Sequence, residues 1–284
     1  MTFENVAVIG GGTMGAGIAE VTAKAGCDVI VLEVSEPAVE AGRTRITGSL
    51  AKALRNGRIA EAEHDAALGR IRFVTEFQEL ADRDLVIEAA PEIAALKFEI
   101  FRKLDEIVQP NAILASNTSS IPLVKMAAVT KRPAQVVGLH FFNPVPVLPL
   151  IEIVESLLTS EATLLAVTDF AEKTLGKQTI RSKDRAGFVV NALLVPYILS
   201  AVRMLESGFA SAEDIDQGMV RGCAHPMGPL HLADLIGLDT CAASAESMYT
   251  EFKEQLFAPP PLLLRMCEAG LFGRKVGQGF FSYV

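Results

Sequence analysis

Two polar side chains stand in stretches that are otherwise apolar. His140 lies in Val136-Val-Gly-Leu-His140-Phe-Phe-Asn143-Pro, at the carboxyl end of a strand-like run, the edge of an open α/β sheet at which ligands bind. Glu152 interrupts Leu148-Pro-Leu-Ile-Glu-Ile-Val154. A carboxylate inside such a strand is costly to bury unless it is paired and hydrogen-bonded, and His140 is the evident partner. A carboxylate on one ring nitrogen fixes the tautomer, favours imidazolium and leaves the other nitrogen to exchange a proton with a substrate. The pair reads as acid–base machinery. His64 sits in a charged helical segment and His225 and His231 near a turn, so structural roles are expected of them. Ser116-Asn-Thr-Ser119-Ser120 follows another apolar run. Ser119 or Ser120 is expected to cap a helix starting at Ile121-Pro122, with a second hydroxyl facing the crevice. There is no Gly-x-Ser-x-Gly elbow, which argues against nucleophilic hydrolysis.

A second constellation lies near the amino end. Val6-Ala-Val-Ile-Gly10-Gly11-Gly12-Thr13-Met14-Gly15-Ala-Gly17 is a short apolar strand entering a glycine-rich turn that opens into a helix. Gly10 suits the tight turn, Gly12 lets the backbone approach phosphates, and Gly15 lets the helix pack closely on its strand. A pyrophosphate would sit at the positive end of that helix. Cys27-Asp-Val-Ile-Val-Leu32 reads as the second strand, and Glu33 follows at the spacing of the acid that binds an adenosine ribose. Its charge accepts from a 2′-hydroxyl and repels a 2′-phosphate, which favours NAD over NADP. The loop lacks the Gly-Lys-Ser/Thr ending of an NTPase. Arg45, Lys52 and Arg55, with Ser49 nearby, share one helical face. On a chain of net charge −8, that face is either plain solvated surface or a local receptor for a phosphorylated handle.

The elements that must position these residues follow from periodicity. Pro37 to Leu68 reads as two antiparallel helices broken at Asn56-Gly57, an insertion in the βαβ series. Strand-like runs recur at 71–74, 85–87, 112–115, 136–139, 150–154 and 178–180, with helical segments near 92–108, 121–128 and 161–175. The expected fold is α/β: a Rossmann-type, mostly parallel sheet whose last strands are antiparallel. From Ala186 the pattern turns helical, so the expected domains are 1–185, with the insertion at about 37–68, and an all-α domain at 186–284. Phe188 to Val202 is apolar but contains Asn191, Pro196 and Ser200. It is too short to span a bilayer and reads as a buried helix. The acidic balance speaks against nucleic-acid or anionic-membrane partners. Met1-Thr-Phe-Glu-Asn carries no basic n-region, so a cytoplasmic location is expected. Cys27, Cys223, Cys241 and Cys267 are scattered, which predicts reduced, buried thiols and no metal site.

Taken together, these motifs resemble the L-3-hydroxyacyl-CoA dehydrogenases, and among them the short bacterial 3-hydroxybutyryl-CoA dehydrogenases. The resemblance runs nearly end to end: Ile9 to Gly17, Ile87-Glu-Ala89 with Glu92 and Lys97, Ser116 to Ser120, Gly138 to Pro144, Glu152, Arg185-Ala-Gly-Phe-Val189 with Asn191, Pro226-Met-Gly-Pro229 through Asp239, and Gly273-Arg-Lys275. It implies that Ser119, His140, Glu152 and Asn191 form the catalytic site, with His140 exchanging the 3-hydroxyl proton, Glu152 orienting it, and Ser119 and Asn191 holding the reacting oxygen or thioester carbonyl. It implies NAD contacts from the Gly10–Gly15 loop, Glu33, Glu92, Lys97, Ser119, Asn143 and Lys275, and an acyl-CoA substrate met by Ser49, Lys52 and Arg55, with Ser119 and Asn191 at its thioester end. Asn56 stands where some relatives carry a lysine, so Lys52 or Arg55 would take that phosphate. A homodimer through the helical domain is also implied. The alternatives are a same-scaffold dehydrogenase of a non-CoA hydroxy acid or carnitine, and an NAD-binding protein without turnover.

Overall fold

A computed structural model describes residues 3–283, which divide into two compact units, one running to Arg185 and the other starting at Ala186. Among the described residues of the first unit, eight strands form one sheet in the order β3-β2-β1-β4-β5-β6-β7-β8. In chain order the elements are β1 (Asn5–Ile9), α1 (Thr13–Lys24), β2 (Asp28–Leu32), α2 (Glu36–Arg55), α3 (Glu61–Gly69), β3 (Ile71–Val74), β4 (Leu85–Glu88), α4 (Ala94–Ile107), β5 (Ile113–Ser116), α5 (Leu123–Ala127), β6 (Val136–Phe141), β7 (Leu150–Glu155), α6 (Glu161–Asp169) and β8 (Gln178–Lys183). Every neighbouring pair is parallel except β6 and β7.

The central strands are continuous apolar runs because helices cover both faces of a parallel sheet. Val6, Val8, Val29, Val31, Leu85 and Ile87 are accordingly sealed in the core. Strand order reverses at β1, which has β2 on one side and β4 on the other. This is the switch point at which an open sheet presents its ligand crevice. The inserted hairpin turns where expected: Gly57 takes φ +66°, and Gly57 and Arg58 donate their N–H groups to Leu54 and Ala53 carbonyls, closing α2.

The second unit consists of α7 (Val190–Glu206), α8 (Ala212–Gly222), α9 (Pro229–Ile236), α10 (Leu238–Phe252) and α11 (Pro261–Glu268). Leu199, Val202, Leu230, Leu238, Ala245 and Leu263 form its centre. Buried Asp216 accepts from the Leu230 and His231 N–H groups and so caps α9 from another helix. Buried Asp234 gathers the carboxyl end, accepting from Phe280 N, Phe281 N and the Tyr283 hydroxyl. No helix among the described residues is long and apolar enough to cross a membrane.

Two expectations need correction. Neither Ser119 nor Ser120 caps the following helix; α5 begins only at Leu123, and Asp184 accepts from Leu123 N at 3.0 Å and Val124 N at 2.8 Å. A carboxylate serves better there, because its full charge meets the positive helix end. The thiols are not all buried either. Cys27 and Cys241 are, but Cys223 is exposed and Cys267 half-buried. Burial pushes the Cys241 thiol up to about 12.

Candidate active site

The glycine loop leaves β1 at the switch point. Gly10 adopts φ +94°, where a Cβ would lie 3.0 Å from the Ala89 carbonyl oxygen beyond β4. A Cβ on Gly15 would sit 1.8 Å from the Gly10 oxygen, so α1 can approach its own strand only with glycine there. Gly12 differs: a Cβ on it would meet nothing within 4 Å. No side chain caps α1, whose N-cap position is Gly12. Uncapped N–H groups facing open space at a helix N-terminus suit a pyrophosphate, so the residues present fit a dinucleotide.

Glu33 closes the loop from β2. Its Oε1 accepts from Gly11 N at 2.5 Å and its Oε2 from Val34 N at 3.2 Å. The acid expected at the ribose is thus a brace for the glycine turn. The inserted hairpin reaches the same turn: Gly42 of α2 packs against Gly11, and Arg45 Nη1 donates to the Gly11 carbonyl at 3.3 Å. Arg45, read from the sequence with Lys52 and Arg55 as one basic face, is thus engaged with the loop. Lys52 and Arg55 are exposed in the last turn of α2, and Asn56 follows as its cap.

The loops after β4 and β5 are joined by charge. Buried Glu88 accepts from Lys97 Nζ at 2.6 Å, Ala90 N at 2.7 Å and the Ser116 hydroxyl at 2.6 Å. Lys97, only 1% exposed, also donates to the Ala90 carbonyl and pairs with Glu92 at 3.2 Å. Three acceptors match the three donors of an ammonium. Glu92 accepts in turn from the Thr118 hydroxyl, from Ser119 N and Ser120 N at 3.2 Å each, and from the Ser120 hydroxyl at 2.9 Å. Burial works against the Glu92 charge, but Lys97 and the hydroxyls of Thr118 and Ser120 outweigh it and hold the carboxyl below the usual range. The expected residues Glu92, Lys97 and Ser119 are brought together here. Glu88 and Ser116, which were assigned no role, form the centre. The signal that singled out Glu152, a carboxylate in an apolar strand, stood equally in Leu85-Val-Ile-Glu88.

His140 and Glu152 face each other across the antiparallel β6–β7 ladder as register partners. Both are buried, and His140 Nδ1 lies 2.6 Å from Glu152 Oε2. Phe142 sets its ring edge-on to the imidazole at 4.7 Å. Asn117 accepts from Phe141 N at 2.9 Å and so ties the loop after β5 to the strand end beside His140. This arrangement presents a fixed imidazole for proton exchange.

Between α1, α2 and the β6–β7 connection lies a cleft of about 360 Å³ bordered by Thr13, Glu20, Arg45, Ser49, Asn143 and Val145 among others. It brings Asn143 and Ser49, both expected site residues, to one cavity. The remaining candidates stand on the second unit: Asn191 in the first turn of α7, and Lys275 held by both oxygens of Asp239 at 2.6 Å. The other histidines have local partners, His64 with Asp65, His225 with Tyr197 and His231 with Asp216.

The family model for the NAD-binding domain of 3-hydroxyacyl-CoA dehydrogenases matches residues 5–185, and that for their C-terminal domain matches residues 187–283. A 3-hydroxybutyryl-CoA dehydrogenase of Mycobacterium tuberculosis H37Rv is 57% identical over 281 residues, covering 99% of this chain and 98% of that protein. Among solved structures, (S)-3-hydroxybutyryl-CoA dehydrogenase of Ralstonia eutropha matches with TM-score 0.94 at 45% identity, each chain covered in full. A diketoreductase described as acting on dicarbonyl compounds matches with TM-score 0.88 at 32% identity, again over both full chains.

Proposed function

Because this chain belongs to the 3-hydroxyacyl-CoA dehydrogenases, a family of NAD-dependent oxidoreductases, we propose that it interconverts (S)-3-hydroxybutyryl-CoA and acetoacetyl-CoA. The observation that carries the reading is the buried His140–Glu152 hydrogen bond of 2.6 Å at the carboxyl end of β6, in the same sheet as the glycine loop. NAD supplies the acceptor of hydride from C3 in oxidation, and NADH its donor in reduction. His140 takes the 3-hydroxyl proton as the alcohol is oxidised and returns it to the C3 oxygen on reduction. Glu152 keeps Nδ1 occupied, so exchange with substrate runs through Nε2, and its charge stabilises the imidazolium that forms. Ser119 and Asn191 hydrogen-bond the reacting oxygen or the thioester carbonyl; for Asn191 the support is the family resemblance.

Gly10–Gly15, Glu33, Glu92, Ser119, Asn143 and Lys275 contact the dinucleotide. Lys97, with its donors engaged by Glu88, Ala90 and Glu92, acts by fixing Glu92. Ser49, Lys52 and Arg55 serve the CoA side. The second unit forms a homodimer, a reading supported by the exposed apolar side chains Leu193, Phe209, Leu235 and Leu264; sedimentation of the purified protein tests it. The diketoreductase match and Asn56 favour one second reading, a dicarbonyl substrate without CoA. NADH oxidation by the purified protein with acetoacetyl-CoA, longer 3-ketoacyl-CoAs and free acetoacetate separates the two. Greater efficiency on acetoacetate than on acetoacetyl-CoA overturns the first reading.

A further inference from the structure

Glu20 lies on the face of α1 that borders the cleft, at helical spacing from Thr13, Ala16 and Gly17. It is 1% exposed, and its Oε1 finds no hydrogen-bond partner among the described residues. Burial pushes its carboxyl up, against the opposing pull of the Ser49 hydroxyl and of Lys24 one turn on. The other cations near the cleft are engaged elsewhere: Arg45 Nη1 on the Gly11 carbonyl, and Lys177 on the Val145 and Leu148 carbonyls at 2.7 Å each. A buried acceptor left unpaired is destabilising, and such groups are uncommon enough in folded proteins to call for a physical reason.

The cleft suggests one. Its walls combine apolar surface from Ile46, Val145 and Pro146 with polar groups from Ser49 and Asn143. Ser49 lies one turn before the exposed Lys52, while Asn143 lies three residues past His140. The cavity is thus walled by residues that neighbour, along the chain, the basic end of α2 on one side and the acid–base pair on the other. An elongated, mostly uncharged chain with an occasional amide matches that lining. We propose that Glu20 is a substrate-binding residue whose carboxyl oxygen accepts a hydrogen bond from an amide N–H of the pantetheine arm of the CoA thioester. The inference rests on the acyl-CoA reading above.

Steady-state constants for NADH-dependent reduction of acetoacetyl-CoA, S-acetoacetylpantetheine and S-butyl acetothioacetate test it. Glu20→Met removes the acceptor at similar length and should raise KM about tenfold for the two amide-bearing substrates, the usual scale for one buried hydrogen bond, while the alkyl thioester is unaffected. Glu20→Gln keeps a carbonyl acceptor and should stay within about twofold of the unmodified enzyme. NADH affinity, read by fluorescence, should hold in both. A loss shared equally by all three substrates, or no loss with any, overturns the proposal. Should Glu20→Met fail to fold, pantetheine analogues carrying an ester oxygen in place of either amide N–H decide with the unmodified enzyme: one should lose about tenfold, and no loss with either overturns the proposal. An unmodified enzyme that ignores acetoacetyl-CoA but reduces acetoacetate refutes the acyl-CoA reading itself, a result distinct from these.

Discussion

Glu152→Gln isolates the charge from the shape of the His140 pair. The amide keeps an oxygen able to accept from Nδ1 across the 2.6 Å contact, and both positions are fixed by the β6–β7 register, so the imidazole should stay in place. What is lost is the counter-charge to the imidazolium. With charge centres about 4 Å apart and an effective dielectric constant near 20, that attraction is about 4 kcal/mol. The retained neutral hydrogen bond offsets about 1 kcal/mol of it. A net loss of about 3 kcal/mol, felt in a transition state in which the proton is largely on the ring, lowers turnover about a hundredfold. The assay is turnover in both directions, with NADH binding measured in parallel. Full activity refutes the argument that the carboxylate acts through its charge.

Three further outcomes follow from other contacts. Glu33→Ala should narrow the preference for NADH over NADPH and weaken both, because the side chain repels a 2′-phosphate and also holds Gly11 N; steady-state constants with each cofactor report it, and equal efficiency in the unmodified enzyme contradicts the reading. Neutralising Lys52 and Arg55 together should raise KM for acetoacetyl-CoA more than it lowers turnover, since a remote handle is held alike in ground and transition states. That defect should shrink as salt rises and be absent with S-acetoacetylpantetheine. Glu92 is held below the usual carboxylate range, so its ionised form contributes stability above that range and loses it as pH falls through the lowered value. The gap in urea midpoint between the unmodified chain and Glu92→Gln should be full at neutral pH and shrink as pH falls through the usual carboxylate range and below it; a gap independent of pH tells against it.

Much of the fold was readable because a parallel sheet covered on both faces must be built from continuous apolar runs, and those at Val29–Leu32, Leu85–Ile87 and Val136–Leu139 are unmistakable. The His140–Glu152 pair was readable for the converse reason, that an ionisable group in such a run demands a partner. What sequence spacing does not carry is which distant group arrives. The cap of α5 comes from Asp184, 60 residues beyond Val124, so the local Ser and Thr hydroxyls point to the wrong acceptor. Lys97, expected at the cofactor, is drawn inward by Glu88, a partner nine residues away that spacing does not single out. Glu20 sits in a mostly apolar helix, and only the geometry of α2 and the β6–β7 connection shows that its Oε1 is left without a partner among the described residues.

The antiparallel pairing of β6 with β7 has an effect on how this protein can diverge. Glu152 is neither at a strand end nor on a loop; it stands in mid-strand, laddered to His140 on one side and to Ile180 on the other. A slip of one residue would turn Ile151 or Ile153 toward the imidazole and hide the carboxylate on the opposite face. Deletions within either strand are therefore intolerable. The connection at 142–149, pinned at both ends by the same ladder, supplies Asn143, Pro144, Val145 and Pro146 to the cleft wall. Substitutions at Pro146 in this wall leave the proton-transferring pair in register and Asn143 in place, so new substrate arms can be sampled without risk to the step that every substrate needs.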